Sequence, residues 1–250
     1  MSYLHGKFVW FEHASADSAA ATRFYSALFG WRAENMPMGA GPPYTMIKNG
    51  AEGIGGLRAA GTGERSAWIS YLSVADVDAS AKAAQAAGAK VLMPPTDFPP
   101  VGRGAALADP TGAPFSLWKS TQGDPPDVES VPVGHWFWNE LWTGDDKKAL
   151  AFYKQVFGYT DEAMDMGPQG SYYILTKDGK SRAGLTTSAQ AGAPPMWLPY
   201  VLVAQCDATL AKAVQLGAKE LVPATDIPNI GRFAIVADPT GAAVAFINKP

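Results

Sequence analysis

Cysteine is nearly absent from this chain. Cys206 is the only one, so no intramolecular disulfide can form and stability must come from a packed core. That usage fits a reducing compartment. Histidine is scarce too: His5, His13 and His135 form no pair with the close spacing of a helical or strand metal site. Neither sign of charge dominates. The 20 Lys+Arg against 23 Asp+Glu give a formal net charge of −3, too few cations to neutralise a phosphate backbone, so nucleic acid is not expected as a partner. No apolar run approaches the roughly 20 residues that cross a bilayer. Met1-Ser2-Tyr3-Leu4-His5-Gly6-Lys7 lacks the apolar stretch of a signal peptide. The expectation is a soluble cytoplasmic protein with no membrane partner. Two catalytic signatures are missing as well. There is no Gly-x-Ser-x-Gly elbow, and Gly53-Ile54-Gly55-Gly56 is not followed by the Lys-Ser/Thr of a phosphate loop; glycines in a strand mark a bend or bulge instead.

What the chain has is apolar residues and a repeat. Hydrophobic side chains make up 47% and charged ones 17%, which supports a packed core and excludes intrinsic disorder. Phe24-Tyr25-Ser26-Ala27-Leu28-Phe29-Gly30-Trp31 returns as Phe152-Tyr153-Lys154-Gln155-Val156-Phe157-Gly158-Tyr159. Gly88-Ala89-Lys90 returns as Gly217-Ala218-Lys219, and Ala108-Asp109-Pro110-Thr111-Gly112-Ala113 as Ala237-Asp238-Pro239-Thr240-Gly241-Ala242. Thr96-Asp97 and Gly102-Arg103 also reappear, as Thr225-Asp226 and Gly231-Arg232. Matches in one order, at a spacing of 128 residues for the first and 129 for the later ones, predict two homologous domains, 1–120 and 134–250. The proline-bearing segment 121–133 is read as an extended linker.

Within each half the pattern reads strand, helix, strands, twice over. Phe8 to Glu12 suits a strand. Asp17 or Ser18 can cap a helix with Phe24, Leu28 and Ala21, Tyr25 at i, i+4, and Gly30 can stop it. Tyr44 to Ile47 and Ile54 to Leu57 flank Asn49-Gly50, a hairpin signal in which both residues would take positive φ; Asp178-Gly179 is its counterpart. Trp68 to Val74 is a further strand, and Asp78 is read as the cap of an alanine-rich helix ending at Gly88. Asp109-Pro110-Thr111-Gly112 has the residues of a type I turn. The expected fold class is α+β: two tandem domains, each a pair of βαβββ modules forming a curved mixed sheet with helices outside.

This arrangement resembles the vicinal oxygen chelate superfamily of glyoxalases, bleomycin-resistance proteins and dioxygenases. The resemblance rests on Asp17 with Phe24-Tyr25 and Phe29-Gly30, on Val77-Asp78 leading to Ala87-Gly88-Ala89, and on Ala108-Asp109-Pro110-Thr111-Gly112. Trp10-Phe11-Glu12 and Gly53-Ile54-Gly55-Gly56-Leu57 look like a tandem glyoxalase-like subgroup. It implies that paired modules curl into an open β cup, and that metalloenzyme members hold a divalent ion there through His, Gln or Glu. At the matching first-strand positions this chain has Trp10 and Trp138, and at the last-strand positions Ser116 and Ala245. The strand opening the second module places Trp68 or Ile69, and Trp197 or Leu198, at the ligand position. No chelating residue stands at the matching place in Gly53–Leu57 or near Ala183-Gly184-Leu185. Neither indole nor alkyl side chains bind divalent metals, so no metal and no cofactor is expected.

Two groups of residues are the candidate site. Glu12 and Glu140 match across the repeat, each two residues beyond a tryptophan and so on that tryptophan's face of the strand. A carboxylate in an apolar cup needs a partner and could act as a general acid or base. Trp10, Trp68, Trp118, Trp138 and Trp197 would supply walls for a flat organic ligand. The expected partner is a small apolar or aromatic molecule, bound and sequestered or converted, with no oligomer required. A metal-dependent lyase, isomerase or dioxygenase with an atypical ligand set is the alternative, as is a scaffold whose cups are filled by rings. His13 is expected at a surface or loop. Asp97 with Arg103, and Asp226 with Arg232, are expected to brace their own loops. Cys206 is expected to be a buried, inert thiol.

Overall fold

Aspartates open three of the four α-helices in the computed structural model, which describes residues 2–38, 43–188 and 192–250. The first module runs β1 (Phe8–Ser15), α1 (Ser18–Phe29), β2 (Arg32–Met36), β3 (Tyr44–Asn49) and β4 (Glu52–Ala59). The second runs β5 (Ala67–Ser73), α2 (Val77–Ala86), β6 (Lys90–Phe98), β7 (Gly102–Ala108) and β8 (Pro114–Ser120). The third comprises β9 (Trp136–Thr143), α3 (Asp146–Phe157), β10 (Thr160–Asp165), β11 (Ser171–Lys177) and β12 (Lys180–Thr187), with a 3-10 turn at Gly167–Gln169. The fourth comprises β13 (Met196–Leu202), α4 (Cys206–Gln215), β14 (Lys219–Ile227), β15 (Gly231–Ala237) and β16 (Ala243–Asn248).

Local chemistry explains the helix ends. The Asp17, Asp76 and Asp145 carboxylates accept the backbone N–H groups of Ala20, Ala79 and Lys148 at 2.9, 2.9 and 3.0 Å, satisfying donors that have no partner inside the helix. Asp76, not Asp78, is therefore the cap of α2. Asp78 lies in the first turn and pairs with Arg103. At α4 the cap residue Gln205 makes no side-chain bond; Asn248 Oδ1 takes the Cys206 N–H instead, at 3.0 Å. Gly30 and Gly158 end α1 and α3 in the left-handed conformation, which glycine adopts without strain. The β3–β4 hairpin also differs from the expectation. Asn49 pairs with Glu52, so the central residues are Gly50 and Ala51, and only Gly50 has positive φ. A glycine at the first central position is sufficient for that kind of turn. In the equivalent hairpin Asp178 and Gly179 are both central and both positive.

The strands form two eight-stranded mixed sheets, in the orders β2-β3-β4-β1-β5-β8-β7-β6 and β10-β11-β12-β9-β13-β16-β15-β14. Each sheet belongs to one half of the sequence. In each module the first strand runs parallel to the last, as in the Glu12–Gly56 and Tyr71–Ser116 registers, and the remaining partners within a module are antiparallel. The compact units follow a different division. Unit 1 takes the chain as far as Val9, Ser70–Asp127 and Trp138–Trp197; unit 2 takes Trp10–Ile69, Val128–Phe137 and Leu198–Pro250. Unit 1 thus contains most of modules two and three, and unit 2 most of modules one and four. No helix among the described residues is long and apolar enough to cross a membrane.

Each unit is pinned by the aspartate of an Asp-Pro-Thr-Gly turn. In unit 1, Asp109 Oδ1 accepts the N–H groups of Thr111, Gly112 and Ala113, and Oδ2 accepts the Tyr153 hydroxyl at 3.1 Å. Tyr153 in turn receives the Trp197 indole N–H at 2.8 Å. In unit 2, Asp238 Oδ1 closes the same turn, and Oδ2 lies 2.7 Å from His13 Nε2. Tyr25 accepts the Trp68 indole at 2.7 Å and hydrogen-bonds to Asp238. Burial and the adjacent carboxylate push both tyrosine hydroxyls well above their ordinary range, so they remain donors. His13 is fully buried, unlike the surface or loop residue expected; its counterpart in the repeat is Leu141. Edge-to-face contacts among Trp31, Trp68 and Trp136, with Phe11 tilted against Trp136, add to this core.

Burial acts to raise the Asp238 carboxyl, but the His13 contact and the Thr240 and Tyr25 hydrogen bonds outweigh it, and the group sits below the ordinary carboxylate range. A lowered folded-state value stabilises the protein above the unfolded value near 3.9 and is lost as pH falls through the folded one. Asp238→Asn is expected to cost about 1–3 kcal/mol at neutral pH, the cost of depriving buried hydrogen-bonding groups of their carboxylate partner. It should also flatten the decline in urea midpoint below about pH 4. A neutral-pH midpoint matching the unsubstituted protein would refute the role.

Candidate ligand-binding site

The face of β1 opposite His13 carries the first site residues, all in unit 2. Trp10 and Glu12 are two residues apart and share that face. Glu12 sits opposite Gly56 in the parallel β1–β4 register. Tyr44, at the start of β3, reaches across to it. The Trp10 indole N–H donates to the Tyr44 hydroxyl at 3.0 Å, and that hydroxyl donates to Glu12 Oε1 at 2.9 Å. Gly56 creates the space, since a Cβ there would lie 1.7 Å from the Tyr44 oxygen. Arg58 Nε donates to Glu12 Oε2 at 3.0 Å, and its two terminal nitrogens grip Glu64 at 2.7 and 2.6 Å. The Glu64 and Glu12 carboxylates hold Arg58 firmly charged, and Arg58 holds Glu64 below the usual carboxylate range despite partial burial. Glu12 is buried while Trp10, Tyr44 and Arg58 are half-buried. A buried carboxylate with charged and neutral donors meets the requirement for keeping such a group out of water.

Unit 1 holds the counterpart. Trp138 Nε1 donates to the Tyr172 hydroxyl at 2.8 Å, and Tyr172 donates to Glu140 Oε2 at 2.8 Å. Glu140 pairs in register with Gly184, where a Cβ would stand 2.0 Å from the Tyr172 oxygen. Burial, then the Glu140 charge, raises the Tyr172 hydroxyl far above its ordinary value. Here the second donor to the carboxylate is the Trp142 indole, on Oε1.

The other tryptophans are placed differently. Trp68 and Trp197, expected as walls, are 3% and 2% exposed and donate to the core tyrosines Tyr25 and Tyr153. Each occupies an alternate strand position that faces the packed interior, so neither joins the Trp–Tyr–Glu arrays. Trp118 is half-buried in unit 1, edge-on to Tyr71 and over Gly102 and Gly104. Arg103 binds Asp97 and Asp78, and Arg232 binds Asp226 and Asp207, all within 2.9 Å; both pairs do brace their loops. Tyr44, Tyr172 and Arg58 were missed from sequence. The signal for the tyrosines was available, because Tyr44 and Tyr172, like Gly56 and Gly184, stand at the same repeat offset as Glu12 and Glu140.

Residues 10–118 match the family model described as "Glyoxalase-like domain", and residues 135–246 match that of the "Glyoxalase/Bleomycin resistance protein/Dioxygenase superfamily". The chain belongs to this superfamily. It is 34% identical over 253 residues to "Putative glyoxylase CFP32" of Mycobacterium tuberculosis, covering 99% of this chain and 96% of that protein. It is 30% identical to the anthracycline biosynthesis protein DauV of a Streptomyces species, covering 95% and 91% of the two chains. Among solved structures, the Mn(II)-bound glyoxalase from Novosphingobium aromaticivorans superposes with a TM-score of 0.65 at 18% identity, over 98% of this chain and 82% of that one. The 2,2',3-trihydroxybiphenyl 1,2-dioxygenase of Sphingomonas wittichii also reaches 0.65 at 18% identity, over 99% and 91%. These two establish the shared fold.

The divalent ion that the superfamily implies does not fit the residues present. Trp10, Trp138, Ser116 and Ala245 stand at the expected ligand positions. No cluster of three or more His, Cys, Asp or Glu side chains able to hold a metal ion occurs among the described residues. Soft or borderline divalent ions need imidazole, carboxylate or thiolate together, and the Glu12 and Glu140 carboxylates are instead surrounded by hydrogen-bond donors.

Gly56→Ala is expected to drive the Tyr44 hydroxyl off Glu12 and to cost about 1–3 kcal/mol, the usual range for overpacking. Urea unfolding and a red-shifted tryptophan emission maximum would read this; an unchanged spectrum and midpoint would disprove the close fit. Burial and the nearby Asp207 charge push the Cys206 thiol up to about 11. An aromatic disulfide reagent at pH 8 should therefore not modify native protein, and should titrate one thiol after denaturation.

Proposed function

We propose that the protein binds a small apolar or aromatic molecule against its two Trp–Tyr–Glu arrays, without a divalent cation at the superfamily's ligand positions. The observation that carries this reading is the replacement of chelating groups by a half-buried indole and phenol, locked onto a buried carboxylate in both units. Indole and phenol rings give apolar contact at low entropic cost. A single buried polar group fixes the orientation of a ligand in such a setting. Glu12 and Glu140 are the polar anchors. They are also the groups positioned to take a proton from a bound molecule.

The relatives fit a small-molecule role: one is named a glyoxylase and one an anthracycline biosynthesis protein. After incubation with excess Mn²⁺, Fe²⁺ or Zn²⁺ and removal of free ion, elemental analysis is expected to find far less than one ion per chain. Trp10→Ala combined with Trp138→Ala should weaken binding of a naphthalene probe by about 1 kcal/mol or more, since each lost ring contact is of that order. Stoichiometric metal retention, or probe binding indifferent to both substitutions, would remove the reading.

A further inference from the structure

Tryptophan is used in one way throughout this chain except at a single position. Seven of the 8 indole N–H groups donate to a tyrosine, a glutamate or a backbone carbonyl. Among the described residues, only the Trp118 N–H has no acceptor. The ring itself is firmly placed. Trp118 on β8 stands opposite Gly104 in the antiparallel β7–β8 register. A Cβ at Gly104 would lie 3.0 Å from the indole Cε3, and one at Gly102 would lie 2.6 Å from Cζ2. The two glycines thus leave the room that the six-membered part of the indole occupies. Tyr71 meets it edge-on with ring centroids 6.0 Å apart, and Phe98 is tilted against it at 6.1 Å. All three rings are half-buried. Arg103 and Lys119, paired one residue along, point to the other face of the sheet, where Asp78 and Asp97 engage Arg103. The residues of β7 and β8 that share the Trp118 face are uncharged. This face is therefore aromatic and neutral along those strands, and it carries one uncommitted donor.

The repeat supplies an internal control. At an offset of 129 residues Trp118, Gly104 and Phe98 become Ile247, Phe233 and Ile227, while Tyr71 becomes Tyr200. Phe233 and Ile247 hold the same cross-strand register, so the bulk has moved from one strand to the other. In that version Ile247 and Tyr200 are 3% and 4% exposed, and Phe233 lies 6.2 Å from Tyr200. Packing at this position does not require an indole. The Trp–Gly version leaves ring surface and a donor open instead. We propose that Trp118 is the platform of a further binding site, which takes an uncharged planar molecule bearing a hydrogen-bond acceptor, such as a carbonyl oxygen on an aromatic body. The site uses none of the residues of the two Trp–Tyr–Glu arrays. Indole and tyrosine rings favour a planar partner through offset or edge-to-face contact. A ligand that covers Trp118 displaces water from its N–H, so it supplies an acceptor or leaves that donor unpaired. A hydrocarbon of the same shape is rejected on that ground, and a charged ligand finds no opposite charge on this face of the two strands.

Nuclear magnetic resonance of the intact ¹⁵N-labelled protein tests this, because each tryptophan gives one indole N–H signal and that of Trp118 is the one lost in Trp118→Phe. Two probes of matching shape are titrated: 2-acetonaphthone, which has a carbonyl, and 2-isopropylnaphthalene, which has no acceptor. Acetonaphthone is expected to move the Trp118 proton signal downfield. The dissociation constant read from that signal should be about fivefold or more tighter than for the hydrocarbon, the effect of one hydrogen bond. In Trp118→Phe, which keeps a ring and loses the N–H, calorimetry should find acetonaphthone weakened to about the level of the hydrocarbon. Trp118→Ile with Gly104→Phe copies the pair found in module four and should lose this binding event. The double variant supplies the signal assignment and the comparison if the single one, checked by near-ultraviolet circular dichroism, is not folded. A Trp118 signal unmoved at the solubility limit of acetonaphthone overturns the site; shifts confined to the Trp10 and Trp138 signals would do so while leaving binding at the arrays standing. Equal affinity for the two probes overturns the acceptor rule. Undiminished acetonaphthone binding in both variants overturns the assignment to Trp118.

Discussion

A tyrosine hydroxyl held between an indole N–H and a carboxylate is the contact on which both units depend. It occurs as Trp68–Tyr25–Asp238 and Trp197–Tyr153–Asp109 in the cores, and as Trp10–Tyr44–Glu12 and Trp138–Tyr172–Glu140 at the candidate site. The direction of each chain is forced. An indole can only donate, an ionised carboxylate can only accept, and the phenol does both. Burial strengthens the hold of Tyr25, Tyr153 and Tyr172 on their protons, so those hydroxyls stay donors. The result is a way to keep four carboxylates out of water in an interior otherwise made of rings and aliphatic chains.

The turn aspartates show how one side chain links local and distant structure. Oδ1 of Asp109 and Asp238 shapes the turn between the last two strands of a module, while Oδ2 reaches a tyrosine or histidine from a different module. Asp109 binds a residue of module three and Asp238 a residue of module one. The compact units are therefore assembled from modules that are not neighbours in each repeat, although every sheet stays within one half.

Much of this was legible before the structure. Repeated motifs at a fixed spacing marked four βαβββ modules, because each motif sits at a helix end or a tight turn where backbone conformation restricts the residue type. Glu12 and Glu140 with Trp10 and Trp138 could be placed on one strand face by alternation alone. The partners could not. Tyr44 lies on another strand, and its contact depends on Gly56, whose missing side chain reads equally well as a bend. His13 gave no local sign of burial, since its stabilising aspartate is 225 residues away. Trp68 and Trp197 were assigned to the wall because a register shift of one residue moves a side chain from one face to the other. The Asp76 cap was missed because Asp78, two residues on, is an equally good capping type. The two arrays also differ in a way the repeat conceals: Arg58 donates to Glu12, and Trp142 donates to Glu140.

The interleaving of the units has a bearing on how the chain could be divided. Both units change over in the proline-containing stretch, between Asp127 and Val128. A protease nick at that point would release two fragments, each with its own sheet but with only half of either interior. Cutting there would put the two members of a buried pair such as Asp109 and Tyr153 on different fragments, so each compact unit would draw residues from both.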